Sequence, residues 1–231
     1  MPRAERTSAG GVVYHVLNRG NRRRRIFHKP ADARAFVNLM WEIKREIPMR
    51  ILGYCIMNNH WHLGLMPYHD GDLPCFMHRL TTTHVRRYFE HYHDDAGGHV
   101  YQGRYKNFPC QCDAHFLTLL RYIEANALRA GLVTRAEAYP FSSAWLLANG
   151  RGGVLDEWPV ERPANWLELI NQPLAESELL DVQTCVNRGR PFGSGDWVTQ
   201  MCKLLGLDFT LRPRGRPRSA KEQEATLDNQ E

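Results

Sequence analysis

Apolar and polar positions change their spacing repeatedly along the first 150 residues, and each change marks an element. VVYHVLNRG (12–20) predicts a strand running into a turn. Phe36, Leu39, Met40, Ile43 and Ile47 then recur at helical spacing, which predicts an amphipathic helix over 31–47. ILGYCIM (51–57) is an apolar, β-rich run, and Asn58-Asn59 makes a turn before a third strand, HWHLGLM (60–66). Pro67 and Asp70-Gly71 interrupt the chain ahead of a helix over roughly 73–93. HVYQGRYKNF (99–108) predicts a fourth strand. A helix follows from Asp113, a suitable N-cap, with Phe116, Leu120 and Ile123 on its buried stripe and Gly131 as its stop. The order strand, helix, strand, strand, helix, strand, helix predicts an α+β fold, a split βαβ antiparallel sheet covered by helices.

Beyond residue 150 the pattern loosens. Gly150, Gly152 and Gly153 open a region with short apolar segments at Trp166–Ile170 and Trp197–Leu207, which predict a small helical appendage. The chain therefore divides into a main domain over 1–150, an appendage over 151–210 and a flexible basic-to-acidic tail over 211–231. No internal repeat is visible.

Composition narrows the class. At 231 residues, 43% hydrophobic and 24% charged, the chain is long and apolar enough to build a core. No run of about 18 apolar residues offers a membrane span, and no apolar signal segment follows the arginine-rich start. Six cysteines are spread along the chain, and only Cys110 and Cys112 form a close pair. Without a second close pair there is no zinc ribbon, and the expectation is a reducing, cytoplasmic protein. The net charge of +5 is unevenly placed. Arg22, Arg23, Arg24 and Arg25 form one cluster, and Arg214 and Arg216 lie in a second, LRPRGRPRSAK. Such clusters suit nucleic acid, although solvated basic faces are also common. The RGRP peptide could enter the minor groove of A·T-rich duplex or belong to a disordered solubilising tail.

The strongest local chemistry is His60 and His62. On a strand, residues two apart share a face, so both imidazoles can converge on one metal while Trp61, Leu63 and Leu65 point to the core. Ordinary strand histidines, one exposed and one hydrogen-bonded, give the same spacing. His91 and His93 repeat the HxH in a predicted helix, where about 200° of rotation separates the rings. In LLRYIEANALRAG, Tyr122 and Asn126 lie one helical turn apart on one face. The phenol can attack phosphorus and the amide oxygen can bind a divalent cation, whereas a tyrosine in a leucine-rich helix is usually core. Glu124 reads as another possible acid or ligand, or else as surface charge or a partner of Arg121, and His15 as a structural strand residue or a proton acceptor. Tyr88, Tyr92, Tyr101 and Tyr105 are available for base stacking or for the core.

Five separated blocks resemble, in order, the REP-associated tyrosine transposases, a branch of the IS200-like single-tyrosine HUH transposases. They are YHVLNRGNRRRRIF, GYCIMNNHWHLGLM, GHVYQGRYKNF, LLRYIEANALRAGLV and YPFSSAW, spanning about residues 10–147. The resemblance implies a ferredoxin-like nuclease domain acting on single-stranded DNA that carries foldback hairpins. It assigns His60, His62 and Asn126 to the metal and Tyr122 as nucleophile. Two departures stand out: Ala127 replaces a frequent proline after the asparagine, and Asn58-Asn59 stands where relatives carry proline–asparagine.

With Mg²⁺ or Mn²⁺ as cofactor, Tyr122 would attack a phosphodiester, leaving a 5′-phosphotyrosine link and a free 3′-OH able to rejoin DNA. The polarity of that link comes from the resemblance. Arg22 to Arg25, Arg104 and Lys106 are candidates for phosphate contact. A relaxase or replication-initiation nuclease, a noncatalytic DNA-binding regulator on the same fold, and a metal-dependent RNA nuclease are the alternatives. The family allows either a monomer or a homodimer.

Overall fold

The computed structural model describes residues 8–92, 98–152 and 155–212. Four strands, β1 (Val13–Arg19), β2 (Met49–Ile56), β3 (His60–Pro67) and β4 (Lys106–Cys110), form one sheet in the order β2-β3-β1-β4. Every pairing in it is antiparallel. Helix α1 (Pro30–Glu46) joins β1 to β2, and α2 (Asp72–Tyr92) precedes β4. The β1-α1-β2-β3-α2-β4 order with a central β3-β1 pair is the ferredoxin-like split βαβ arrangement expected.

The alternation along each strand sorts side chains between two cores. Tyr14, Val16, Trp61, Leu63 and Leu65 face α1 and α2, and pack on Phe36, Met40, Phe76 and Leu80. Val13, Leu52, Cys55 and Phe108 face the opposite layer, opened by α3 (Ala114–Glu124). Pro30 at the first turn and the Asp32 carboxylate, accepting the His28 and Lys29 backbone N–H groups at 2.8 and 3.0 Å, start α1. The Asp113 side chain accepts from the His115 N–H at 2.8 Å and starts α3, as expected of that N-cap.

Two boundaries differ from the sequence expectation. The fourth strand begins at Lys106 rather than 99, because the segment before it is a crossing, not a ladder. There Tyr101 makes an isolated bridge to Gly20 and sends its ring into the first core, where its hydroxyl accepts the Trp61 indole N–H at 3.1 Å. The helix expected from Asp113 does not run on to Gly131. It stops at Ala125, and a separate short helix, α4 (Asn126–Arg129), carries the chain onward.

The remaining helices are α5 (Ser143–Ala148), α6 (Trp166–Asn171), α7 (Glu176–Arg188) and α8 (Gly195–Leu205). Helices α6 and α8 match the two apolar segments expected after residue 150. Helix α7 has no counterpart there, since only Val182 and Cys185 along it are buried. Trp166 and Ile170 join the α3 core, and Phe192 pairs with Cys110 at the β4 edge. No helix among the described residues is long and apolar enough to cross a membrane.

Candidate active site

The α3 face of the sheet carries a group of imidazoles. His60 and His62 share this face of β3, with ring centroids 5.1 Å apart. His15 projects from the neighbouring strand β1 beside them. Its ring stacks on His62 at 5.0 Å and 12°, with Nε2 2.8 Å from His62 Nδ1. Phe108 of β4 closes the other side, edge-on to His15 at 5.0 Å.

Helix α3 lies over this group because two glycines let it approach the sheet. A Cβ on Gly53 would sit 2.6 Å from the Leu120 Cδ1, and one on Gly64 would sit 3.4 Å from its Cδ2. Gly53 follows a β-bulge in β2, where Leu52 is the extra residue opposite β3. Two residues after Leu120, the half-buried Tyr122 ring makes T-shaped contacts with His15 and His62, at centroid distances of 6.0 and 5.8 Å. Asn126, buried at the start of α4, is a side-chain hydrogen-bond partner of His60. The four residues singled out in the sequence, His60, His62, Tyr122 and Asn126, are therefore one cluster.

The sequence reading missed Arg129. It follows Tyr122 and Asn126 by seven and three residues, so the chain brings all three to one side. Its guanidinium carbon lies 4.1 Å from the Tyr122 ring centroid, over the face, and acts on the phenol hydroxyl as a charge and as a hydrogen-bond donor. Residue 129 as a whole is exposed, whereas the guanidinium is desolvated by these neighbours; the local packing governs its chemistry. The i, i+4, i+7 spacing of Tyr122, Asn126 and Arg129 was the available signal.

Burial sets the charge state of the imidazoles. It lowers His15 to about 3, helped by the Arg129 charge, and His60 to about 4, helped by Arg19. His62 is also held well below the usual histidine range, by burial first and then by its two imidazole neighbours. All three are neutral near pH 7, with lone pairs available.

Hydrogen bonds also orient these rings. Asn59 Nδ2 donates to the Arg23 carbonyl at 3.2 Å, which leaves Asn59 Oδ1 facing His60 Nδ1 at 2.6 Å. An oxygen there can only accept, so the His60 proton sits on Nδ1 and Nε2 keeps its lone pair. For His62 Nε2 to do the same, the single proton between His62 Nδ1 and His15 Nε2 must be carried by His62. His15 Nδ1 is buried and has no partner among the described residues. Among those residues no three of His, Cys, Asp and Glu form a metal-binding group. The donors that fit a divalent cation are instead the two imidazoles with the Asn126 amide, neutral and oriented by neighbours.

One other expectation is corrected. Glu124 is not a surface charge paired with Arg121 but is fully buried. Its Oε1 lies 2.5 Å from Ser143 Oγ, its Oε2 accepts the Trp166 indole N–H at 2.7 Å, and burial pushes its pKa up to about 7. Arg121 instead donates to the Leu169 carbonyl of α6 at 3.1 Å. Tyr88, Tyr101 and Tyr105 belong to the core, and Tyr92 packs against it. His91 is exposed and hydrogen-bonds Lys29, whereas His93 lies outside the described residues.

The arginine cluster forms a tight turn tied to the histidine strand. Gly20 N–H donates to the Asn59 carbonyl at 2.8 Å, and Ile26 and Phe27 both donate to that of Asn58. Arg22 and Arg23 adopt left-handed φ values of 52° and 62°, and their side chains are exposed, as is that of Arg25. Arg24 differs, donating to the His99 carbonyl with its guanidinium over Tyr88. Arg104 and Lys106 are exposed, and Arg214 and Arg216 lie outside the described residues.

The site is thus a tyrosine-bearing helix laid over an HxH strand of a ferredoxin-like sheet. Residues 8–126 match the family described as transposase IS200 like, and the chain belongs to that family. Among solved structures, a REP-associated tyrosine transposase bound to a REP hairpin is similar in fold. The two are 18% identical over 71% of this chain and 96% of the other, with a TM-score of 0.52. A candidate transposase from Deinococcus radiodurans R1 is also 18% identical, over 52% and 92% of the two chains, with a TM-score of 0.38. No curated protein matches the chain significantly.

Proposed function

We propose that this protein is a metal-dependent single-stranded DNA endonuclease and transposase acting on REP-like hairpins, with Tyr122 as its nucleophile. The observation that carries the reading is the convergence on the β3 residues His60 and His62 of Tyr122 from α3 and Asn126 from α4, sixty or more residues further along the chain. A hairpin substrate is suggested by the similar transposase solved with one.

His60, His62 and Asn126 would hold Mg²⁺ or Mn²⁺, which when bound polarises a phosphate oxygen and offsets charge on the phosphoryl group. Asn59 and His15 keep the two imidazoles turned toward that position. Tyr122, half-exposed above them, attacks phosphorus. Its Oη–P bond forms as the P–O3′ bond breaks, giving a 5′-phosphotyrosine link and a 3′-OH. Attack by that hydroxyl on the link reverses the step and rejoins DNA without ATP. The exposed Arg22, Arg23, Arg25, Arg104 and Lys106 supply phosphate contacts, which position DNA without reading its sequence.

Incubation with a hairpin-bearing single strand and Mn²⁺ is expected to yield a protein–DNA adduct stable to denaturation. Tyr122→Phe and chelation by EDTA should each abolish it. An adduct that persists in Tyr122→Phe excludes this nucleophile. Tight hairpin binding with no adduct from any strand identifies a noncatalytic regulator instead.

A further inference from the structure

Arg129 has no role in the binding scheme above, yet its position is specific. None of the ion pairs among the described residues includes it, so it is not spent on a carboxylate. Its nearest aromatic partner is the tyrosine assigned to attack.

We infer that Arg129 is a catalytic residue, whose guanidinium stabilises the negative charge that develops on the Tyr122 Oη. The inference rests on Tyr122 being the nucleophile. A neutral phenol over which a guanidinium is stacked gains a modest cation–π attraction. As the phenol loses its proton, its oxygen and ring both gain negative charge, and the same guanidinium attracts both more strongly. The contact is thus worth more in the transition state than in the resting enzyme, which is the condition for rate enhancement. Arginine remains protonated throughout, so it stabilises the charge without competing for the proton.

The step balances without another reactant. The phenol proton leaves to solvent, the Oη–P bond forms, the P–O3′ bond breaks, and the departing 3′ oxygen takes a proton from solvent. In the return direction the phenolate is the leaving group and meets the same guanidinium. Arg129 therefore acts on cleavage and on rejoining alike.

The test is single-turnover adduct formation and rejoining at saturating hairpin DNA with Mn²⁺, alongside hairpin affinity. Arg129→Met should slow both directions by about 100-fold, leaving the equilibrium fraction of adduct and the affinity nearly unchanged. Arg129→Lys keeps the charge but loses the planar fork, and should fall between. Its far-UV spectrum and thermal midpoint, compared with wild type, check folding independently of activity. Wild-type rates in Arg129→Met, or a deficit that disappears once DNA saturates, overturn the inference while the Tyr122 assignment stands. A deficit in one direction only overturns it as well. An adduct that survives Tyr122→Phe overturns both readings.

Discussion

At the residue scale the site depends on groups that never touch a substrate. Asn59 is held by the Arg23 carbonyl so that its oxygen fixes the His60 tautomer. With His60 as a metal ligand, Asn59→Ala should weaken Mn²⁺ binding about tenfold or more, read by titration calorimetry. An unchanged affinity would show that His60 needs no such support. Glu124 is a second case: Glu124→Ala removes the acceptor of the Trp166 indole and a partner of Ser143. The buried Trp166 indole then lacks its acceptor while Ser143 Oγ keeps the Tyr54 backbone as partner, and denaturant titration should show a loss of about 1–3 kcal/mol. Tyr122, Asn126, His60 and His62 were legible because period-two and one-turn spacings are local properties of a strand and a helix. Glu124 was not, because its burial is decided by Ser143 and Trp166, 19 and 42 residues away. Arg129 was within reach of the same one-turn reasoning, which needed one further step along the helix.

At the element scale, what places Tyr122 is the distance between α3 and the sheet. Leu120 is fully buried under that helix and cannot swing into solvent. Gly53→Ala would put a methyl group 2.6 Å from its Cδ1 and 3.1 Å from Ser143 Oγ. The helix must lift or tilt, at a cost of about 1–3 kcal/mol, and Tyr122 moves with it. Adduct formation should slow more in Gly53→Ala than in Gly64→Ala, whose nearest contact is 3.4 Å. Equal rates in the two variants would mean that the helix position tolerates the displacement. The split βαβ core was readable because its helices each bury one clean face and its strands are short, nearly continuous apolar runs bounded by turns. The break at Ala125 was not, since Glu124, Ala125, Asn126 and Ala127 are all compatible with a continuous helix. The break occurs although the proline frequent in relatives is absent, so in this chain it is maintained by tertiary contacts: Ala127 is fully buried and Asn126 engages His60.

At the scale of the whole molecule, neutral imidazoles are built into both cores. On the α1–α2 side, the Trp61 indole N–H donates to the Tyr101 hydroxyl. That hydroxyl is also hydrogen-bonded to His84 Nδ1 at 2.7 Å. Burial lowers His84 to about 4, as it does His60, and lowers His15 further, to about 3. The sign follows from the unfolded chain, whose histidines titrate near 6.5. Below that pH the unfolded state binds protons that the folded state refuses, so stability is lost as pH falls from about 6.5 toward 4. Glu124 acts oppositely: with its folded pKa near 7, it favours the folded state as pH falls toward the ordinary carboxylate range. One raised carboxyl is outweighed by several lowered imidazoles, each tenfold change in proton affinity being worth about 1.4 kcal/mol. Denaturant titrations should therefore show stability falling by several kcal/mol between pH 6.5 and 4. His84→Phe removes a hydrogen-bond partner of the Tyr101 hydroxyl, so it should start about 1 kcal/mol less stable at pH 7. Its loss on acidification should nevertheless be shallower than that of wild type, because one proton-refusing site is gone. A variant that loses stability as steeply as wild type would show that His84 does not enter the folded core as a neutral ring.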